Sequence, residues 1–574
     1  MNRIDRVVIA GLVLIIAIAA FAIGGPALTQ KPVSSAQPSA TAAIPYREGV
    51  LSRPTNVDPL AARTQADRDL VALAFEGLVG RGPDGRPVPA LATSWTSTTA
   101  GDSWTFTLAA DHHWHDGVLV TADDVAFTIA TLEDARYRGP GAGSWTGITV
   151  TVVDRLTVRF DLATPIGGML DLATQPIVPR HLLSGVAPGE LATAAFGSAP
   201  VGSGPYRVDQ LDRDHAVLVR AVAAPTPSLV GGASAAPSGD PLVTPGPTPR
   251  PDGGRGGPRE IDLRFFDDAA ALGAAFQAGD LDAVSGLGPA AAATLAATPG
   301  ARAISDPGTT LAAIVLNLRP TEDTFADPRT RQALLEAIDR PRIIAEVYGG
   351  GAVQADGLIP PSSWAFDASA SRAVARNLKA AAKALGEAGW KKAADGWHFG
   401  TEATPRSIEL RIPSQTSNPT LFAVGSRVAA DWTTLGFTVT LTPDDPVTIA
   451  TDHLRTGDFK AALVDIAIGH DPDLYPLLAS SQVRTGGANV VGLQDPLLDD
   501  LLVAARVPGT DDARKAAFAA LQKRLAGGTY LVPIAWPDSV FVLGSRVSGP
   551  SIREVADGSE RFGDVLTWRL ADGR

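Results

Sequence analysis

Apolar positions along this chain follow two interleaved periods. In SWTFTLA, Trp104, Phe106 and Leu108 alternate with polar residues, the period of a half-buried strand. ITVTVV and LTVRF flank Asp154 and Arg155, which predicts a β-hairpin turning there. Elsewhere the spacing is helical. Thr121 is placed to cap TADDVAFTIATLED, in which Val125, Ile129 and Leu132 share one face. Asp327 and Pro328 open DPRTRQALLEAIDR, and Asp511 opens DDARKAAFAALQKRLAGG, which Gly527 closes. Strands and helices alternate to the end, so the class is α/β or α+β. A chain of 574 residues is too long for one ordinary core, and two or three lobes are expected.

Two segments break the alternation. After MNRIDR, an apolar run extends from Val7 to Gly25. It exceeds the usual signal core of about 7–15 residues and approaches the ~20 that span a bilayer, and no clean cleavage site follows. Residues 1–25 therefore read as an uncleaved membrane anchor in preference to a cleaved signal, with Arg3 and Arg6 on the cytoplasmic side. Residues 26–45, rich in Ala, Ser, Pro and Thr, read as a flexible tether. On either reading the rest of the chain lies outside the cytoplasm. The second break is residues 225–258, half of them Pro or Gly and none aromatic. Such a composition buries too little to offset ordering entropy and predicts a disordered surface insertion. The strand-like stretches HAVLVRA and IDLRFFDD on its two sides still need partners.

Charge and composition exclude several functions. Lys and Arg total 49 against 61 Asp and Glu, a net charge of −12 with no long basic run, so nucleic acid is not expected as a partner. The absence of cysteine excludes disulfides, thiolate metal sites and cysteine nucleophiles. No G-x-S-x-G, H-E-x-x-H or P-loop occurs. In DHHWHDG, His112, His113 and His115 cannot all face one ion if they lie on a strand. The segment predicts a turn, with Asp116-Gly117 at the corner and Trp114 packed inward.

HDPDLYPLLASSQ, His470 to Gln482, is the richest polar stretch. Asp471 and Asp473 bracket Pro472, which leaves three readings: a metal site, a D-x-D motif of a glycosyltransferase holding a divalent cation, or a loop presenting polar groups to a ligand. Two carboxylates and one histidine fall short of the ligand set of Ca²⁺ or Zn²⁺. Asp473 is also placed to cap a short helix over DLYPLLASS.

The order of motifs carries a resemblance. FEGLVGRGPDGRPVPALATSW (Phe75 to Trp95) is followed by WTFTLAADHHWHDGVLVTADDVAFTI, then VPRHLL, GSGPYRV, FQAGDLDAV, LNLRPTEDTFADPRTRQALLEAIDR and DPDLYPLL. This ordered set resembles the family 5 extracellular solute-binding proteins, receptors of peptide and nickel ABC importers, over nearly everything from about residue 45. The resemblance implies an α/β, periplasmic-binding-protein-like fold of the type II Venus-flytrap kind. It implies an N-terminal lobe at 46–305 with an extra subdomain at about 86–164, a C-terminal lobe at 306–528, and a return segment at 529–574, the hinge being crossed twice. It implies a monomeric receptor, not an enzyme and without a cofactor, that encloses a peptide-like solute, or alternatively a sugar or nickel chelate, and delivers it to ABC permease subunits. In that family the loop at 470–473 faces the cleft and an aspartate there or just upstream receives the ligand's ammonium, which makes Asp471 the first candidate contact, with His470 and Asp473 behind it. Glu76, Trp364 and Asn489 are further candidates. Two departures stand out: the insertion replaces an Asn-Tyr-Trp-Gly segment of relatives, and the lipid-bearing cysteine is missing.

Overall fold

The computed structural model of this chain describes residues 45–82, 85–221, 257–371, 373–483 and 487–571. The anchor and tether expected at 1–45 lie, apart from Pro45, outside the described residues, as does the insertion apart from Gly257 and Pro258.

The described residues from Pro45 to Ala571 form one unit built on three principal sheets. Seven strands stand side by side in the order Arg302–Asp306, Ser539–Leu543, Ala283–Ser285, Tyr46–Val50, Glu260–Phe265, His215–Arg220 and Tyr206–Leu211. Tyr46–Val50 pairs in parallel with both of its neighbours, and the outer strands are antiparallel. Four antiparallel strands, Ala92–Ser97, Ser103–Leu108, Thr157–Leu162 and Ile148–Asp154, make a second sheet. Its inward residues Trp95, Phe106 and Phe160 share one core with Tyr46, Leu218 and Trp568. The hairpin about Asp154 and Arg155 forms as the alternation predicts.

The third sheet has six strands in the order Ala352–Gln354, Leu531–Pro537, Thr310–Leu316, Ala461–Ala467, Ser407–Pro413 and Thr438–Asp444. Thr310–Leu316 is buried on both sides, which explains why TLAAIVL is apolar without alternation. Ile314 and Leu410 pack beneath the helix Pro419–Leu435 on one face. Leu311 and Trp536 pack beneath Pro496–Arg506 and Asp511–Gly528 on the other.

Helix boundaries follow the capping chemistry. Thr64 with Asp67 and Thr121 with Asp124 form capping boxes, satisfying donors that a helix start leaves free. Asp327 caps its helix with Pro328 at the first helical position. The helix read as opening at Asp511 is capped one residue earlier by Thr510 and runs to Gly528. DHHWHDG is the expected turn: Trp114 is buried, and Gly117, at φ 90°, donates to Trp114 O.

Strands His215–Arg220 and Glu260–Phe265 pair antiparallel, and Arg220 N donates to Arg259 O at 3.0 Å, so the insertion leaves and rejoins the sheet at one place. The main chain passes from the seven-stranded to the six-stranded sheet at 306–310 and returns at 537–539. These two crossings touch: a Cβ on Gly308 would lie 2.2 Å from Pro537 O.

Candidate functional site

The loop His470–Asp473 follows the strand Ala461–Ala467 of the six-stranded sheet and reaches the opposite body. Gly469, at φ 79°, makes the turn. Asp471 N donates to Asp171 Oδ2 at 2.5 Å, a contact across 300 residues of sequence. Arg81, at the end of a short strand, clasps the other oxygen of Asp171. The Asp471 carboxylate points back to its own side, where Arg514 Nη2 lies 2.8 Å from Oδ2 and 3.0 Å from Oδ1. Burial pushes the Asp471 carboxyl up to about 6, with Arg514 pulling it down and Asp171 pushing it further up. The Arg514 guanidinium lies over the Trp364 ring at 4.6 Å, and Trp364 Nε1 donates to His470 O at 3.1 Å.

Asp473 has two tasks. Its Oδ1 accepts from Tyr475 N at 3.0 Å at the start of the helix Tyr475–Leu478, and its Oδ2 pairs with Arg506 at 3.0 Å. Both aspartates of the D-P-D motif are thus matched by arginine. Among the described residues, no three His, Cys, Asp or Glu side chains gather in an arrangement able to hold a metal ion.

His470 is buried, its side chain 5 % exposed. Nδ1 lies 3.1 Å from Glu554 Oε1 and Nε2 lies 2.8 Å from Glu560 Oε2. Burial draws the imidazole toward its neutral form, but the hydrogen bonds to Glu554 and Glu560 outweigh this and hold it up at about 9. Both carboxylates belong to the segment that returns to the first core, where Val555 and Phe562 are buried. That segment is anchored by Arg561, whose guanidinium reaches Asp69 and Glu48 at 2.7 Å.

The five residues singled out from the sequence separate. Asp471, His470 and Trp364 come together at the boundary between the two bodies. Glu76 sits elsewhere, its Oε2 3.1 Å from His112 Nε2. Asn489 is buried and braces main chain, donating to Ala479 O and Leu493 O and accepting from Gly492 N. It borders a cavity of about 160 Å³ that Arg319, Arg455 and Thr456 also line. Sequence reading did not find Asp171, Arg514, Glu554 or Glu560. Each lies at least 43 positions from its partner in the loop, and only the fold brings them together.

Comparison with known proteins agrees with this architecture. The profile "Bacterial extracellular solute-binding proteins, family 5 Middle" matches residues 86–487. Protein XP55 of Streptomyces lividans is 27 % identical over 516 residues, covering 87 % of this chain and 85 % of that protein. The oligopeptide-binding protein AppA of Bacillus subtilis, solved with a nonapeptide, superposes with a TM-score of 0.70 at 20 % identity, over 92 % of this chain and 99 % of that one. NikZ of Campylobacter jejuni, solved with Ni(L-His), gives a TM-score of 0.69 at 19 % identity over the same shares. At such identities these two likenesses speak for the fold alone.

Proposed function

Because the chain belongs to the family 5 bacterial extracellular solute-binding proteins, we propose that it is the solute receptor of an ABC importer. It encloses a peptide-like solute between the seven-stranded and six-stranded bodies and presents the closed form to permease subunits. It acts outside the cytoplasm, held there by the apolar segment at 7–25. The observation that carries this reading is the His470–Asp473 loop, which leaves one body and is fastened to Asp171, Glu554 and Glu560 of the other. Contacts that exist only when two bodies meet are what couple ligand capture to closure. The role is transport, not catalysis. A D-x-D glycosyltransferase would need Asp471 and Asp473 on a metal ion, and each is already neutralised by an arginine.

A peptide is favoured as cargo because a relative of Brucella ovis, 26 % identical over 433 residues, is named a putative ABC transporter peptide-binding protein. Nickel chelates are the second class, since NikZ holds Ni(L-His). Native mass spectrometry of the purified protein separates them: the expected result is co-purified peptide released on denaturation. A retained neutral oligosaccharide or metal chelate would end the peptide assignment.

A further inference from the structure

The cavity bordered by Asn489 lies away from the boundary between the bodies. Thr310–Leu316 and Ala461–Ala467 run antiparallel, with Thr310 opposite Ala467 and Leu316 opposite Ala461. The loop at 470–473 follows Ala467, whereas Arg319 follows Leu316, so about 20 Å of strand separates the two ends. Arg319 and Arg455 line the cavity with Thr456 and Asn489, and none of its described lining residues is acidic. We propose that this cavity binds a small oxyanion, a phosphate group above all, at a site separate from the solute cleft.

Arg319 is held at close quarters. A Cβ on Gly457 would lie 2.9 Å from its Cζ and one on Gly492 would lie 2.3 Å from its Cγ, and both glycines have left-handed φ, 81° and 76°. Its Nη1 donates to Asn317 Oδ1 at 3.2 Å and to Val490 O at 2.9 Å, and its Nη2 reaches Leu454 O at 3.5 Å. All three acceptors are uncharged, no carboxylate among the described residues pairs with this arginine, and its Nε donates to none of them. Burial accordingly pushes the guanidinium below its ordinary value. Arg331 is the contrasting case of an arginine used up by the fold, since its Nε, Nη1 and Nη2 all donate to main-chain carbonyls in burial. Arg455 is exposed and has no side-chain hydrogen bond or ion pair among the described residues. Asp458, on the same loop, faces His453 instead, its Oδ2 3.7 Å from Nδ1. Thr456 and Asn489 spend their donors on main-chain carbonyls, so the cavity offers two positive charges that the described residues leave unmatched. A guanidinium fork matches the oxygens of phosphate or carboxylate. The volume of about 160 Å³ is several times the ~30 Å³ share of one water, which leaves room for a group of that size.

Calorimetry on the full chain at fixed ionic strength tests the site, with sodium phosphate and sodium chloride as probes. The wild type should bind phosphate and not chloride. Arg455→Gln should weaken phosphate about tenfold, Arg455→Lys should keep most of the affinity, and Arg455→Glu should abolish it. Since Arg455 has no described partner to lose, the three variants should melt with the wild type when phosphate is absent. Co-sedimentation with phosphatidylglycerol vesicles, against phosphatidylcholine, separates the sources of the oxyanion. Retention on phosphatidylglycerol that Arg455→Glu removes assigns a lipid headgroup, and phosphate binding without such retention assigns a dissolved ion; either upholds the site. The site falls if phosphate binds the wild type and Arg455→Glu equally. It falls also if phosphate binds no better than chloride and retention on vesicles ignores Arg455. The solute-receptor reading is judged separately, by the co-purified solute.

Discussion

His470 shows how one side chain can fasten two bodies together. Its ring is held between Glu554 and Glu560 with Arg81 nearby, and its proton is retained up to about 9, against an ordinary value of 6.5. A histidine raised in this way contributes its stability in full below the ordinary value and loses it as pH rises through about 9. The melting temperature of the wild type should therefore fall between neutral pH and pH above about 9 by more than that of His470→Gln, in paired thermal scans. Parallel profiles for the two proteins would remove His470 from the account of closure. From sequence, the histidine was visible only as a neighbour of D-P-D. Its partners, 84 and 90 positions away, left no local pattern, because carboxylates of a return segment acquire meaning only from where the chain comes back.

Elements were more legible than contacts. Hairpin turns, capping boxes and proline-opened helices all declare themselves within four or five residues, and SWTFTLA, TADDVAFTIATLED and DPRTRQALLEAIDR form as their patterns predict. The helix that Asp511 opens begins there, with Thr510 as its cap, and runs one residue past Gly527 to Gly528. Sheet order was not legible at all: Ser539–Leu543 enters between strands that precede it by more than 230 residues. The segment at 225–258 is best judged from its ends. Since Arg220 and Arg259 are already hydrogen-bonded neighbours, the strands meet whatever lies between them, and each doubling of a loop costs only about 0.6 kcal/mol. Replacing these residues with a short Gly-Ser loop should leave the melting temperature unchanged or slightly raised. A drop of many degrees would mean that the replaced residues pack against the sheet.

For the molecule as a whole, the ordered set of weak motifs was sufficient to place the chain in its family, and the family profile agrees over residues 86–487. What such motifs leave out is how the bodies meet. The seven-stranded body is tied together from both ends of the described chain, with Glu48 and Asp69 gripping Arg561 in full burial. Its main chain crosses to the six-stranded body at 306–310 and returns at 537–539. At that place Gly308 lies so near Pro537 O that a methyl group must push the crossings apart. Gly308→Ala should cost about 1–3 kcal/mol by overpacking, read as a lowered denaturation midpoint. An unchanged midpoint would show that the crossings give way without strain.

That close approach also has a mechanical meaning. Two covalent straps lying side by side act as the pin of a door: they oppose sliding and twisting and leave rotation about the line through them as the soft coordinate. Labels on either side of Gly308 and Pro537 should then keep their separation whatever is bound, while labels at the far rims of the two bodies swing widest, so the place best suited to report solute capture is the one most distant from where the chain crosses.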